Sequence, residues 1–556
     1  MAEEGAAPLR AAWRRNELAR GAISLAAGLT VIALAGAIWR FHFETNDDLT
    51  FAFAMTGNAL LPPQGDFYLF FRGGLGELLS LLHGWFGPST YGAFVLGLLT
   101  LAIARFFARV LTAPERRDPI DLAATFAVTA YVVAVTFSPL NFSRIALLAT
   151  FVGFDGLQSR WTRGERGGAW VDVLLVLVGY AVRPQAGVLA LVLSLSLGCF
   201  ESLRPWVVAR SVLTAAAIVL AFWVYDRIAT SGAEQEYVRR YWYATALLDR
   251  KAYTSLPDDP IDLARLNLAR RWLFFDDRAY DSEFLAQHVQ VDSFTWQASL
   301  AEAPQRALSL AQRIGASGGL WLPSLLLWLT AERLVAGDWR RAGEPLAKTL
   351  VVYGILLAVD AIAGMKPRVR EPAVAILCLN LLGARMRWRT PPGQHWFSYA
   401  ALFAAASAIV VDGIRLAPQR QVFDTNVRRV HAQVNAMERL GDKTLLTTLG
   451  DPFETMLVWN SPLDVRLPSP TLRILPLQGW VTQSEGYRAA MDALGGGRGF
   501  GGLVHAIERD PAAFALIGNR SDTERTLRWA AAAYGPRLRI EARTEGRLPY
   551  YAFVER

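Results

Sequence analysis

Long apolar runs separated by short charged gaps fill the chain from Gly21 to Leu416. A bilayer core of roughly 30 Å takes about 20 residues of helix. On that ruler eleven runs read as spans: Gly21–Phe41, Thr90–Leu111, Ile120–Phe137, Phe142–Leu157, Val171–Val182, Ala186–Phe200, Val207–Ile228, Gly315–Ala331, Thr349–Ala363, Ala373–Gly383 and Trp396–Leu416. The run Leu75–Phe86, "LGELLSLLHGWF", is too short to cross and suits a helix lying along the membrane surface. The expected fold class is therefore an α-helical polytopic membrane protein of about eleven transmembrane helices.

Composition agrees. Of 556 residues 53% are hydrophobic and only 19% charged, against roughly 25% in a soluble domain. The net charge of +8 does not indicate nucleic acid, because the basic residues collect in the gaps between apolar runs. That distribution orients a membrane protein. Arg10, Arg14, Arg15 and Arg20 precede the first run, and Arg116, Arg117, Arg160, Arg163, Arg166, Arg204, Arg210, Arg340, Arg341, Arg385, Arg387 and Arg389 fall in alternate gaps. The N-terminus is then cytoplasmic and, after an odd number of spans, the C-terminus is outside. The first run is too long for a signal-peptide core and reads as a retained span. Cys199 and Cys378 lie in or beside apolar runs, which excludes a disulfide framework.

This topology divides the chain into a cytoplasmic tail (1–20), a membrane domain (21–416) and an outer domain (417–556). Two outer loops, 42–89 and 229–314, interrupt the membrane domain. The outer domain alternates strand-like runs ("TLLTTL", "FALIG", "LRIEA", "YYAFV") with helical ones ("SEGYRAAMDALG", "DTERTLRWAAAAYG"), the pattern of an α/β module. "GGGRGFGG", Gly495–Gly502, lacks the context of a phosphate loop and reads as a flexible loop.

Ionisable groups at membrane depth are costly and mark function. "HFETNDDLTFAF" places His42, Glu44, Asp47 and Asp48 directly after the first span. Asn-Asp-Asp before an apolar run also caps a helix, but Glu44 and His42 exceed what one cap needs. Basic residues stand at the same outer level: Arg72, Arg144, Arg183, and Lys366, Arg368 and Arg370 of "MKPRVREP". Guanidinium forks match phosphate, and lysine adds a point charge. A carboxylate beside a cationic clamp fits a lipid-linked phosphate, its tail between helices and its sugar in water.

The arrangement resembles the GT-C superfamily of membrane glycosyltransferases: a cytoplasmic N-terminus, one span, an acidic motif ("TNDDLTFAF") opening the first outer loop, surface helices, many spans and an outer C-terminal domain. The resemblance covers the whole chain in layout and only short motifs in sequence. It implies inverting sugar transfer from a polyprenyl-phosphate donor to a glycan, lipid or protein acceptor, at the outer face of a bacterial cytoplasmic membrane. Asp48 or Asp47 would be the general base, Arg183, Lys366, Arg368, Arg370, Arg144 and Arg72 would bind the phosphate, and His42 and Glu44 are candidate ligands of a divalent metal. Tyr241, Trp242, Tyr243, Trp272 and Trp296 are candidates for stacking on sugars. The competing readings are a transporter or flippase, which calls for internal repeats and broken helices, and a polysaccharide ligase or polymerase, for which His288 is the candidate histidine.

Overall fold

The structure, a computed structural model, describes residues 17–44, 46–63, 70–112, 118–165, 169–201, 204–249, 255–271, 273, 280–289, 304–305, 308–309, 312, 321–363, 367–386, 395–448, 460–479, 482, 484–535 and 538–554. In chain order the helices are α1 (Glu17–Trp39), α2 (Asn46–Thr56), α3 (Leu75–Phe86), α4 (Thr90–Thr112), α5 (Pro119–Phe137), α6 (Phe142–Arg163), α7 (Trp170–Val182), α8 (Pro184–Glu201), α9 (Pro205–Ala229) and α10 (Gly232–Asp249). They continue with α11 (Pro260–Ala269), α12 (Ser282–His288), α13 (Trp321–Val335), α14 (Trp339–Ala342), α15 (Glu344–Ala363), α16 (Pro367–Arg385), α17 (Trp396–Arg439), α18 (Glu485–Gly495), α19 (Gly499–Arg509) and α20 (Arg520–Tyr534). The strands are β1 (His42–Phe43), β2 (Pro139–Leu140), β3 (Thr444–Thr447), β4 (Arg473–Pro476), β5 (Phe514–Ile517), β6 (Arg539–Glu545) and β7 (Leu548–Val554).

Each of the eleven apolar runs is helical over its described residues, apart from Arg40 and Phe41 at the end of the first. Among the described residues six helices (α1, α4, α5, α8, α9 and α17) are long and apolar enough to cross a membrane by themselves. The protein is thus helical and membrane-associated. The chain forms two compact units: residues 1–42, 93–225 and 294–421, and residues 43–92, 226–293 and 422–556.

At the centre of the first unit lies α6, buried without a break from Phe142 to Gln158, with α7, α8 and α16 packed on it. Asn141 caps it by accepting the Ser143 N–H at 2.8 Å, and Gly164, in the left-handed region at φ 72°, ends it. Its charges explain why α6 is absent from the six. Arg144 pairs with Glu371 at 2.8 Å, Asp155 with Arg109, and Arg160 with Asp172 at 2.8 Å. Buried ions are tolerated when paired in this way. Helix α7 approaches closely because Gly156 faces it: a Cβ there would overlap the Asp172 carboxylate. Arg105 completes that site, donating to both Asp172 oxygens. A second buried network joins the ends of α5, α13, α16 and α17. Arg385 meets Glu332 at 2.8 Å, Asp121 at 3.2 Å and Ser398 at 2.7 Å. Arg160 and Arg385, read from sequence as orientation signals, therefore also lock helix ends.

The second unit is built on a five-stranded sheet of order β4-β3-β5-β7-β6. β4, β3 and β5 run parallel, with Thr444 opposite both Arg473 and Phe514, and β7 and β6 complete the sheet antiparallel. β3 and β5 are buried on every residue, as central strands require. The core includes Leu503, Trp529 and Tyr487 of the C-terminal helices together with Leu266, Tyr280 and Phe284 of the 229–314 segment. The described stretch up to Val289 thus contributes to the C-terminal core rather than forming a separate loop. The glycine run is only partly a loop. α18 ends at Gly495 and α19 begins at Gly499, where Gly502 lies so close to Gly495 that a Cβ would overlap its carbonyl. Helix α3 buries Leu75, Leu79 and His83 and exposes Leu78, Leu81, Trp85 and Phe86. Helix α17 does not stop at Leu416; it continues to Arg439 through Pro418.

Candidate active site

The acids open α2, with Asp47 and Asp48 in its first turn. Free backbone N–H groups and the helix dipole favour anions there. Successive helical residues point about 100° apart, and the two acids differ accordingly. Asp48 is fully buried and its Oδ1 accepts the Tyr91 hydroxyl at 2.8 Å. Asp47 is only half-buried.

Aromatic packing fixes the Tyr91 donor. Tyr91 is itself fully buried, and its ring centroid lies 6.0 Å from Phe43, 5.7 Å from Phe51 and 6.3 Å from Phe71. Phe51 in turn meets Phe70 at 5.0 Å and Phe71 at 4.8 Å. Within "DDLTFAF", Asp48 faces a polar partner while Phe51 anchors the helix in the ring cluster.

Helix α10 supplies the next wall. Tyr241 contacts Phe70 edge-on at 6.1 Å. Tyr237 is buried, and its phenol is held well above the ordinary tyrosine range, first by burial and then by the electrostatic influence of Tyr241 and Asp47, against Arg240. Tyr237 therefore stays a neutral hydroxyl within the field of Asp47. Arg72 pairs with Asp226 at 3.3 Å. At the far end of α2, Thr56 shares a hydrogen bond with His83 Nε2 at 2.7 Å, and burial lowers the His83 pKa.

The structure assigns the predicted residues to both units. Asp47, Asp48, Glu44 and Arg72 belong to the second, and His42, Arg144, Arg183, Arg368 and Arg370 to the first. Lys366 lies outside the described residues, as do Trp272 and Trp296. Arg144 is buried against Glu371. Arg183 ends α7, its guanidinium carbon 5.6 Å from the Phe142 ring centre. Arg368 and Arg370 are not on a turn but in the first turns of α16, half-buried and buried respectively. The His42 Nδ1 lies 3.1 Å from the Arg40 carbonyl. Among the described residues no group of three or more His, Cys, Asp or Glu side chains stands close enough to hold a metal. Tyr243 packs on the core of the second unit, whereas Trp242 is exposed. His288 meets the Phe284 ring at 5.0 Å.

Sequence reasoning did not find Tyr91 or Tyr237. Tyr91 is the second residue of an apolar run and carries no local signal. Tyr237 stands in the aromatic segment singled out above, four residues before Tyr241, which places both on one face of α10. No family model, no curated protein and no solved structure matches the chain.

Proposed function

We propose that the protein is an inverting glycosyltransferase of GT-C type, moving a sugar from a polyprenyl-phosphate donor to an acceptor hydroxyl at the outer face of a bacterial cytoplasmic membrane. The observation that carries the reading is the division of labour between the two acids. One is buried and fixed by a phenol, and its neighbour is half-exposed in the same helical turn, just after the first long apolar helix.

In the step, the acceptor oxygen attacks the anomeric carbon as the carbon–oxygen bond to phosphate breaks. The polyprenyl phosphate leaves with the bonding electron pair, and the configuration inverts. Asp47 takes the acceptor proton. A carboxylate of pKa near 4 is a weak base, so its contribution comes from position and from transfer late in the step. Asp48 is the positioning residue: held by Tyr91, it fixes the first turn of α2 and so the direction of Asp47. The hydroxyl of Tyr237 donates to Asp47 or to the acceptor. Arg72 stabilises charge growing on the leaving phosphate, exchanging Asp226 for it. Arg183, Lys366, Arg368 and Arg370 retain the phosphate role implied by the resemblance, whereas Arg144 holds the start of α16 through Glu371.

The test uses full-length protein in lipid nanodiscs with polyprenyl-phosphate hexose and pentose donors labelled in the sugar. Wild type releases polyprenyl phosphate and the Asp47→Asn/Asp48→Asn double variant does not. Equal release from both would sink the assignment.

A further inference from the structure

The first unit contains a cavity that the transferase reading does not use. It measures about 170 Å³ and lies between α6, α8 and α9, lined by Gln158, Thr162, Glu201 and Ser211 and by apolar Val208 and Val212. Gln158 is 7% exposed, and its Oε1 has no hydrogen-bond partner among the described residues. A buried amide oxygen left unpaired is costly and marks a place for a donor.

Two hydroxyls of the lining share this bias. The Thr162 hydroxyl donates to the Gln158 carbonyl at 2.9 Å and the Ser211 hydroxyl to the Val207 carbonyl at 2.8 Å. With their single hydrogens spent on backbone, both oxygens can only accept. Glu201 adds a carboxylate, which receives the Asn380 amide at 3.2 Å and lies 4.0 Å from the Lys348 ammonium; that ammonium is 2.9 Å from Glu344, so two carboxylates share one cation and a negative charge is left over. Four acceptors, one of them charged, call for a ligand with several N–H donors and positive charge. A primary ammonium provides three; a quaternary ammonium provides none.

The surroundings indicate what carries the ammonium. Val212, in the lining, is 49% exposed and belongs to the apolar outer face of α9 with Leu213 and Leu220. The cavity therefore opens sideways onto a lipid-facing surface. Exposed Phe200 and Trp206 flank the α8–α9 connection, as aromatic residues do at headgroup depth. Arg204 there donates to the Thr162 carbonyl at 3.0 Å, and Arg163 to Ser159 Oγ at 2.7 Å. Arg163 also pairs with Glu165 at 2.6 Å, which a phosphate would have to displace; the guanidiniums suit a phosphate, and the carboxylate inside suits the amine.

We propose that this cavity binds the phosphoethanolamine headgroup of a membrane phospholipid, in the leaflet on the arginine-rich side. The ammonium enters toward Gln158 and Glu201, the phosphate rests at Arg163 and Arg204, and the acyl chains lie along α9. A phosphoserine headgroup would bring a second carboxylate against Glu201 and is disfavoured.

The test is native mass spectrometry of the detergent-purified full chain with equimolar phosphatidylethanolamine, phosphatidylcholine and phosphatidylglycerol. Ethanolamine lipid is retained about tenfold over either other lipid, the effect of one charge-assisted hydrogen bond. Gln158→Leu and Glu201→Gln each erase that preference. Equal retention of choline lipid by wild type overturns the proposal, as does a preference that survives both substitutions; the wild-type comparison stands even if a variant fails to fold. Soluble phosphoethanolamine is the second arm: full displacement of the lipid at matched concentration shows that the site takes the free headgroup and overturns the lipid assignment. Retention by the Asp47→Asn/Asp48→Asn variant equals wild type, so the outcome is independent of the transferase reading.

Discussion

Asp48 and Asp172 look alike by position. Each is a fully buried carboxylate in the first turn of a helix, α2 in one unit and α7 in the other. Asp172 is gripped by two guanidiniums, Arg105 and Arg160, in a notch that Gly156 leaves open. Asp48 accepts from a phenol set among phenylalanine rings, and its sequence neighbour is another acid, half-exposed. An arginine pair cancels a charge and closes the site. A phenol fixes a carboxylate without contributing an opposite charge, and the adjacent Asp47 keeps partial access to solvent. Burial of an acid is thus no functional mark by itself; its company decides.

The contrast is broken most sharply by removing the exposed acid. Asp47→Asn is expected to lower polyprenyl-phosphate release by about 10²–10⁴-fold, the worth of a general base, with the thermal unfolding midpoint unchanged. The opposite profile is expected of Asp172→Ala. Two guanidiniums lose their buried partner, costing about 3–5 kcal/mol of stability, read as a lowered midpoint in a thermal-shift assay of the solubilised protein. If Asp172→Ala melts like wild type, the arginine clamp is not structural. Tyr91→Phe keeps the ring and removes the hydroxyl. It is expected to cost about 1–3 kcal/mol through Asp48, with a smaller loss of activity than Asp47→Asn, separating the positioning acid from the reacting one.

The smallest effect concerns pH. Burial holds His83 below its ordinary value of 6.5. Between that lowered value and 6.5 the unfolded chain binds more protons than the folded one, so stability rises with pH. The contribution is intact above 6.5 and is lost as pH falls through that window. The midpoint of unfolding is expected to fall between about pH 7 and about pH 5.5, and His83→Gln to flatten that part of the profile.

Much of the helical layout was legible because membrane spans are written in local composition. Thr90–Leu111 falls within a residue of α4, and Gly21–Phe41 overlaps α1, which begins four residues earlier, at Glu17, and ends two earlier, at Trp39. The end of α17 was not legible, since Pro418 reads as a stop although the helix carries it. β4 was missed because "RILP" is four residues long and ends in proline. The acids of the candidate site announced themselves as charges out of place after an apolar run. The phenol that separates their roles did not, because Tyr91 reaches Asp48 across 43 residues of sequence. The pairing of Arg144 with Glu371 was hidden for the same reason, and Arg144 read instead as a candidate phosphate ligand.

The burial of α6 has a consequence for biosynthesis. Its Arg144, Asp155 and Arg160 make it a poor candidate to enter lipid alone, and its neighbour α7, at 13 residues, is about 20 Å long and falls short of a bilayer core. The most enclosed part of the first unit is thus the part least able to insert by itself. During synthesis α6 must be held at the insertion machinery until α7, with Asp172, and the longer α8 have emerged, so that three helices partition together. Slowing translation within Trp170–Glu201 would then prolong the time α6 waits without partners, and a cut after Arg163 would leave α6 as a target for membrane quality-control proteases.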